Sequence, residues 1–212
     1  EEALAGWARR SGVPLFGPQS IGVMRSRGGA FAVVAPMRAQ PRSGELALVM
    51  QSAGLMGATL NSLSERGVGI HTAISIGNAV TLGFEELAAH LLADSGVKAL
   101  GSYLDSVESV SSLVFVGRLA LEAGKPVVLA VGGRSDAGRR AVLSHTGALA
   151  TRRRVVEGVA KQYGMILVDD ADELLWSLEA IAAMGFRPPP RGGVALFASS
   201  GGGGIMMADA AG

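Results

Sequence analysis

The segment Ser144-His145-Thr146-Gly147-Ala148 carries the residue best suited to chemistry in this chain. A neutral imidazole is a good nucleophile near neutral pH because its unperturbed pKa is about 6.5. The residues before His145 include Gly132, Gly133, Arg134, Gly138, Arg139 and Arg140, which do not pack a core. They predict a loop, and functional side chains concentrate on loops held by rigid scaffolds. Two other segments, Gln51-Ser52-Ala53-Gly54 and Ser199-Ser200-Gly201-Gly202-Gly203-Gly204, each follow an apolar run. Both read as a strand entering a helix through a small-residue turn. Such turns offer free backbone N–H groups and the positive end of a helix dipole, so they bind phosphate. A histidine with two phosphate cradles elsewhere predicts a phosphoryl carrier. His145 is then catalytic, and Ser52, Ala53, Gly54, Gly201, Gly202 and Gly203 are phosphate-binding. Ser144 and Thr146 shape the loop or add hydroxyl donors.

Each of these residues also has a plainer role. Four consecutive glycines can be a flexible linker, although an expected strand at Val194–Ala198 just before them favours close backbone approach to an anion. Asp105 follows an apolar run at the end where open α/β sheets place ligands. It is either the N-cap of a helix starting near Val107 or a carboxylate that accepts a hydrogen bond from an imidazole. Gly77-Asn78 is a turn or a ligand contact. His71 and His90 read as structural, and Arg152-Arg153-Arg154 as a solvated charge run. No phosphate loop of the Gly-x-x-x-x-Gly-Lys-Ser/Thr type is present, and nothing has metal-ligand spacing.

These residues need a scaffold, and the chain supplies one. It has 212 residues, 49% hydrophobic and 17% charged, with 31 glycines placed mostly at the ends of apolar runs. That is a globular composition with twice the usual glycine share of roughly 7%. Strands are predicted at Phe31–Ala35, Glu45–Met50, Ile70–Ser75, Lys98–Tyr103, Pro126–Val131, Ile166–Val168 and Val194–Ala198. Helices are predicted at Leu55–Glu65, Phe84–Ala93, Val107–Ala123, Thr151–Tyr163, Ala171–Ala183 and from Ile205 onward. The alternation is that of an α/β fold, a parallel sheet with helices on both faces. A net charge of +1 gives no electrostatic case for nucleic acid or an anionic membrane. No apolar run approaches the ~20 residues of a membrane span. The absence of cysteine removes disulfides, thiolate zinc sites and cysteine nucleophiles, and fits a cytoplasmic location. Polar or proline-rich linkers at 37–44 and 186–191 divide the chain into residues 1–36, 44–185 and 192–212.

Taken in order, several of these segments resemble the NDP-forming (ADP-forming) acyl-CoA synthetases, relatives of the succinyl-CoA synthetase α subunit. The resemblance is carried by Gly17-Pro18-Gln19-Ser20-Ile21-Gly22, where the family has GPNSxG, and by Leu48-Val49-Met50-Gln51-Ser52, Ser75-Ile76-Gly77-Asn78-Ala79 and Tyr103-Leu104-Asp105. It continues through Lys125-Pro126-Val127-Val128, Gly132-Gly133-Arg134-Ser135, Ser144 to Ala150, Asp172-Glu173-Leu174 and Gly201–Gly204 to Asp209. It spans nearly the whole chain, and SHTGA is its most specific part.

The resemblance implies a flavodoxin-like parallel sheet and a phosphorylated His145. The acidic residue at 105 hydrogen-bonds that histidine; the family usually has Glu where this chain has Asp105. The starts of two helices, near Ser52–Gly54 and Gly201–Gly204, hold the phosphohistidine. Gln19, Ser20, Gly77 and Asn78 lie near CoA or the substrate. Where the family usually has an Asp after GNA, Val80-Thr81 stands here. The implied reaction is acid + CoA + ATP ⇌ acyl-CoA + ADP + phosphate, through an acyl phosphate and a phosphoenzyme. The implied partners are CoA, a small carboxylic acid and an ATP-grasp domain or subunit, in a homo- or hetero-oligomer. Mg2+ is expected on the nucleotide, in domains outside this chain. Residues 1–36 are then the C-terminal edge of a CoA-binding Rossmann domain, 44–185 the phosphohistidine ligase domain, and 192–212 the start of a second flavodoxin-like domain.

Two other functions fit the same pattern. One is a catalytically silent CoA- or acyl-CoA-sensing regulatory or acyltransferase subunit, which has no need of a phosphorylatable histidine. The other is a plain nucleotide-binding flavodoxin-like module, for which no fingerprint stands in the sequence.

Overall fold

Runs such as Leu46–Met50 and Val127–Val131 are apolar at every position, so they must be covered on both faces. The computed structural model does this. It describes residues 2–107, 109–146, 151–185 and 195–211, without the side chains of His145 and Thr146. In chain order the elements are α1 (Glu2–Ser11), β1 (Gly22–Arg25), β2 (Ala30–Val33), β3 (Ser43–Met50), α2 (Ala53–Glu65), β4 (Ile70–Ser75), α3 (Phe84–Ala93) and β5 (Ala99–Leu104). They continue with α4 (Val110–Ala123), β6 (Val127–Val131), α5 (Asp136–Thr146), α6 (Arg153–Tyr163), β7 (Ile166–Val168), α7 (Ala171–Ala183) and α8 (Gly201–Ala211).

One seven-stranded sheet runs in the order β2-β1-β4-β3-β5-β6-β7. Strands β3 to β7 are all parallel, and their spatial order β4-β3-β5-β6-β7 is the flavodoxin-like order. Two strands from the segment 1–36 extend this sheet. The β1–β2 hairpin pairs antiparallel onto β4, with Met24 opposite Ala73.

The core lies on both faces. Leu87, Leu91, Leu113, Val116, Val156 and Val159 of α3, α4 and α6 pack on one side. Met56, Leu60, Leu63, Leu174 and Leu178 of α2 and α7 pack on the other. Crossover helices thus leave β3 and β5 toward opposite faces, which opens a crevice at the C-terminal ends of those two strands.

Several expectations need correction. The stretch before His145 is helix α5 and not a loop. The Ser135 hydroxyl accepts the N–H of Gly138 at 3.0 Å, Asp136 sits in the first turn, and Val142 is buried as an anchor. Glycine content suggested a loop, but only one glycine falls within the helix. Residues 195–198 form no strand; Val194 lies outside the described residues. An apolar run alone cannot make a strand without an edge to pair with. The glycine run lies within α8 itself, which starts at Gly201 and buries no residue. Helices α1 and α5 and strand β1 were not expected. No helix among the described residues is long and apolar enough to cross a membrane.

Candidate functional site

Strand β3 ends at Met50, and the next residues turn into α2. Ser52 caps that helix: its extended backbone lets the hydroxyl accept the N–H of Leu55 at 3.3 Å, and its carbonyl takes the N–H of Met56. Among the described residues this leaves the N–H groups of Ala53 and Gly54 as the uncommitted donors of the first turn. A Cβ on Gly54 would meet nothing within 4 Å, so protein packing does not require glycine there.

Ser52, Ala53 and Gly54 line a cavity of about 200 Å³ together with Gln19, Gln51, Gly77, Asn78 and Asp105. The cavity sits at the crevice between β3 and β5. Seven residues expected at the site therefore meet in one place, although they lie up to 86 positions apart in the chain, from Gln19 to Asp105.

Two loops shape the far wall. Gly77 has φ +55°, and a Cβ there would lie 2.0 Å from the Pro18 carbonyl oxygen. Only glycine allows that approach, and it lets Asn78 donate its N–H to the same carbonyl at 2.9 Å. Gln19 itself adopts φ +60°, a region costly for a side chain other than glycine and found where function holds the backbone in place. Thr81, one of the residues standing where the family has an Asp, ties this loop down. Its hydroxyl accepts from the Leu15 N–H at 2.8 Å and donates to the Leu15 carbonyl at 2.9 Å.

Asp105 does not cap α4. That role belongs to Ser109, whose hydroxyl accepts the N–H groups of Ser111 and Ser112. Asp105 is buried at the strand end, its N–H donating to Gln51 Oε1 at 2.9 Å. The Tyr103 phenol donates a hydrogen bond to the Asp105 carboxylate. Burial first, then the Asp105 charge and this hydrogen bond, push the phenol up to about 12, so it stays a donor at every working pH.

Gln51 and Tyr103 are the two contributors that sequence reasoning did not assign. A signal for Tyr103 existed: residues two apart on a strand share a face, so Tyr103 and Asp105 project together. Gln51 was hidden because a glutamine at a strand end has no chemical signature until its partner is known.

Ser20 is not in the cavity wall. Its hydroxyl donates to the Ser75 carbonyl at 2.6 Å and accepts from the Gly22 N–H, which fastens the start of β1 to β4. Gly201, Gly202 and Gly203 begin α8 behind a Ser200 cap and do not line this cavity. His145 and Ser144 lie in the last turn of α5, while the side chains of His145 and Thr146 fall outside the described residues. Helix α5 follows the C-terminal end of β6. The chain is anchored again at Thr151, whose hydroxyl donates to the Val107 carbonyl at 2.8 Å, two residues past Asp105.

Of the arginine run, Arg152 and Arg154 are exposed as expected, and Arg153 is not. Arg153 is largely buried and pairs with Glu157 at 2.9 Å and Asp169 at 2.7 Å. Arg134, from the loop after β6, pairs with the same Asp169. His71 is structural: it is buried at the opposite end of the sheet, with Nδ1 2.9 Å from Thr72 Oγ1. No metal-binding group of acidic, histidine or cysteine side chains exists among the described residues.

The family model of the Succinyl-CoA ligase like flavodoxin domain matches residues 43–181. The chain is 28% identical over 210 residues to the acetate–CoA ligase [ADP-forming] II subunit alpha of Pyrococcus furiosus, covering 99% of this chain and 44% of that protein. It is 30% identical over 210 residues to the acetate–CoA ligase [ADP-forming] I of Archaeoglobus fulgidus, covering 99% of this chain and 30% of that protein. Among solved structures it resembles an acetyl-coenzyme A synthetase 1 from Ca. Korarchaeum cryptofilum in complex with phosphate and ADP. The TM-score is 0.80 at 25% identity, over 90% of this chain and 40% of that one. The chain spans less than half the length of these relatives. With its flavodoxin-like strand order and a matched domain over most of its length, the chain belongs to the family of the Succinyl-CoA ligase like flavodoxin domain.

Proposed function

We propose that this chain contributes the phosphohistidine site of an acid–thiol ligase that interconverts acid, CoA and ATP with acyl-CoA, ADP and phosphate. The observation that carries the proposal is the cavity at the β3–β5 crevice. It joins the amide donors of Ala53 and Gly54 to the buried Asp105 carboxylate at one sheet edge. The amides and the α2 dipole suit a phosphoryl group. A carboxylate suits the N–H of an imidazole that must become charged. Tyr103 and Gln51 fix the Asp105 side chain and backbone, so the shorter acid is held from both ends.

In this mechanism an imidazole nitrogen of His145 attacks the terminal phosphorus of ATP, and ADP leaves. A carboxylate oxygen of the acid then attacks that phosphorus, the P–N bond breaks and the imidazole recovers its electron pair. The CoA thiolate attacks the acyl carbon of the acyl phosphate, and phosphate leaves. Each displacement is easier than direct condensation. Asp105 orients the imidazole and balances its charge while it carries phosphate. Ala53 and Gly54 hold the phosphoryl oxygens, with Gly201–Gly203 as a second cradle and Ser144 and Thr146 as hydroxyl donors. Gln19, Gly77 and Asn78 form the substrate side of the cavity, with Ser20 bracing it. Residues 44–185 form the working unit, 1–36 the edge of the CoA domain and 192–212 the start of a further domain. An ATP-grasp domain or subunit supplies nucleotide and its Mg2+, and a cytoplasmic setting supplies both.

The test is incubation of the native protein, with its ATP-grasp domain or subunit, with γ-labelled ATP and magnesium. Acid-labile, base-stable label that is lost in His145→Ala is expected. A folded, nucleotide-binding preparation that takes up no label rejects the mechanism.

A further inference from the structure

Gln51 is half-buried just past the end of β3, where its backbone N–H donates to the Tyr103 carbonyl at 2.8 Å. Its side chain reaches across to the end of β5, and Oε1 accepts the Asp105 N–H at 2.9 Å. A backbone N–H can only donate, so this contact fixes which end of the carboxamide is oxygen. The other end is an NH2 group with two donors. Among the described residues Nε2 has no hydrogen-bond partner, yet it is not among the buried orphaned atoms, which are Ser102 Oγ and Arg153 Nη1. It is therefore open to the space beside it. Gln51 lines the cavity of about 200 Å³ together with Ser52, Ala53, Gly54 and Asp105, and it also walls a smaller one of about 60 Å³.

The geometry points to the Gln51 carboxamide as a fixed donor to the transferring phosphoryl group, a contact with substrate in addition to its hold on Asp105. This rests on the ligase function proposed above. Phosphoryl transfer spreads negative charge over three oxygens, and donors already in place where that charge develops are the effective ones. Ala53 and Gly54 supply two backbone donors, and among the described residues no lysine or arginine lines the cavity. A cation there would pair with Asp105 and compete with the imidazole for it, whereas a neutral amide does not. The bond from the Asp105 N–H holds the Gln51 side chain in register with the carboxylate's own residue, so the NH2 group needs no reordering when the phosphoryl group arrives. The amide gives up no proton. Its hydrogen bond strengthens as the P–O bond to ADP breaks and the P–N bond to the imidazole forms.

The experiment replaces Gln51 with Glu in the native protein, with its ATP-grasp domain or subunit. Gln51→Glu keeps an oxygen for the Asp105 N–H and exchanges only the NH2 group for a second oxygen. Labelling of His145 from γ-labelled ATP is measured by rapid quench into base between pH 8 and 5.5, as the ratio of variant to unmodified protein. At pH 8 the ratio should be lower by about a hundredfold or more, the scale of one lost transition-state donor. It should rise as pH falls, because the new carboxyl, held above its ordinary value by Asp105, regains an O–H donor. A folded variant that labels at the unmodified rate, or one slowed equally at every pH, overturns the donor role and leaves the ligase function standing. No label in the unmodified protein overturns the ligase function and the donor role with it. If the Glu variant does not fold, Gln51→Met decides: labelling should slow at least about tenfold, and an unchanged rate overturns the proposal.

Discussion

The Tyr103 phenol donates its hydrogen bond to the Asp105 carboxylate, two residues further along at the end of β5. Asp105 lies one residue past the end of β5, and Gly132 leaves room for the pair: a Cβ there would come within 2.9 Å of the Asp105 carbonyl and 3.3 Å of the phenol oxygen. The contact sets a protonated phenol beside the Asp105 carboxylate at the edge of the cavity.

Tyr103→Phe keeps the ring and removes the donor. The net loss in stability should be about 1 kcal/mol, the usual value for one hydrogen bond. His145 labelling should slow by about tenfold, the equivalent of 1.4 kcal/mol in the transition state. Chemical denaturation and quenched-flow labelling check the two numbers separately. Unchanged labelling would remove Tyr103 from the positioning of Asp105.

The phenol of Tyr103 should titrate near 12 in an absorbance titration, because burial and the Asp105 carboxylate both oppose its ionisation. Folding then favours the protonated phenol, so the folded state binds more protons than the unfolded between about 10 and 12. Stability contributed by this group is intact below 10 and falls as pH rises through that window. Asp105→Asn removes the neighbouring charge and should bring the titration down toward the ordinary value, leaving only the effect of burial.

His71 predicts pH dependence of the opposite sign. Burial lowers its pKa first of all; Asp94 opposes that, with Nε2 3.8 Å away, while Arg25, Arg27 and Lys125 reinforce it. The folded protein therefore resists protonation that the unfolded chain accepts near 6.5. Stability is full above that value and declines as pH falls from it toward the lower folded pKa. Urea unfolding between pH 7.5 and 5 should show the slope, and His71→Gln should flatten it.

Two glycines of the cavity should respond differently to alanine. Gly77→Ala places a Cβ against the Pro18 carbonyl at positive φ, and should cost roughly 1–3 kcal/mol or prevent folding. Gly54→Ala meets open space in a helix, so stability should hold or rise by roughly 0.5–1 kcal/mol. Its labelling should nonetheless fall, because the methyl group occupies the approach to the α2 amides. Calorimetry and labelling on the same samples separate the two. Full labelling in Gly54→Ala would mean that the phosphoryl group binds elsewhere.

Ser109→Ala should destabilise α4 by about 1 kcal/mol, the usual cost of a lost N-cap, whereas Asp105→Asn should leave that helix intact. Thermal unfolding of both variants distinguishes cap from site residue. An equal loss in each would return Asp105 to a structural role.

The strands that sequence reasoning located best are β3 to β7, among which Leu46–Met50 and Val127–Val131 are continuous apolar runs because both of their faces are buried. Ile70–Ser75 and Ile166–Val168 match to the residue. Strand β1 escaped notice because only Met24 of its four residues is fully buried. Helix α5 escaped because the glycines and arginines before it and in its first turns suggested a loop, while the Ser135 cap and the Val142 anchor are local and quiet signals. At the site, Ser52, Gly54, Gly77 and Asp105 were legible as small or acidic residues at strand ends. Their convergence was not, since it depends on strand order, which no local pattern contains. Gln51 was hidden because its role shows only once the cavity and the Asp105 N–H are in place, whereas Tyr103 could have been read from its spacing to Asp105.

The β1–β2 hairpin has a practical consequence for anyone producing this protein. Residues 43–181 look like a self-sufficient unit, yet a truncated chain starting there would strip the partner from β4. It would leave a buried-type strand, Ile70–Ser75, as a bare edge with unsatisfied N–H and C=O groups, an invitation to aggregation. It would also remove Gln19 and the Pro18 carbonyl that close one side of the cavity. Soluble expression therefore requires the hairpin, and trimming to the matched domain boundary should yield inclusion bodies.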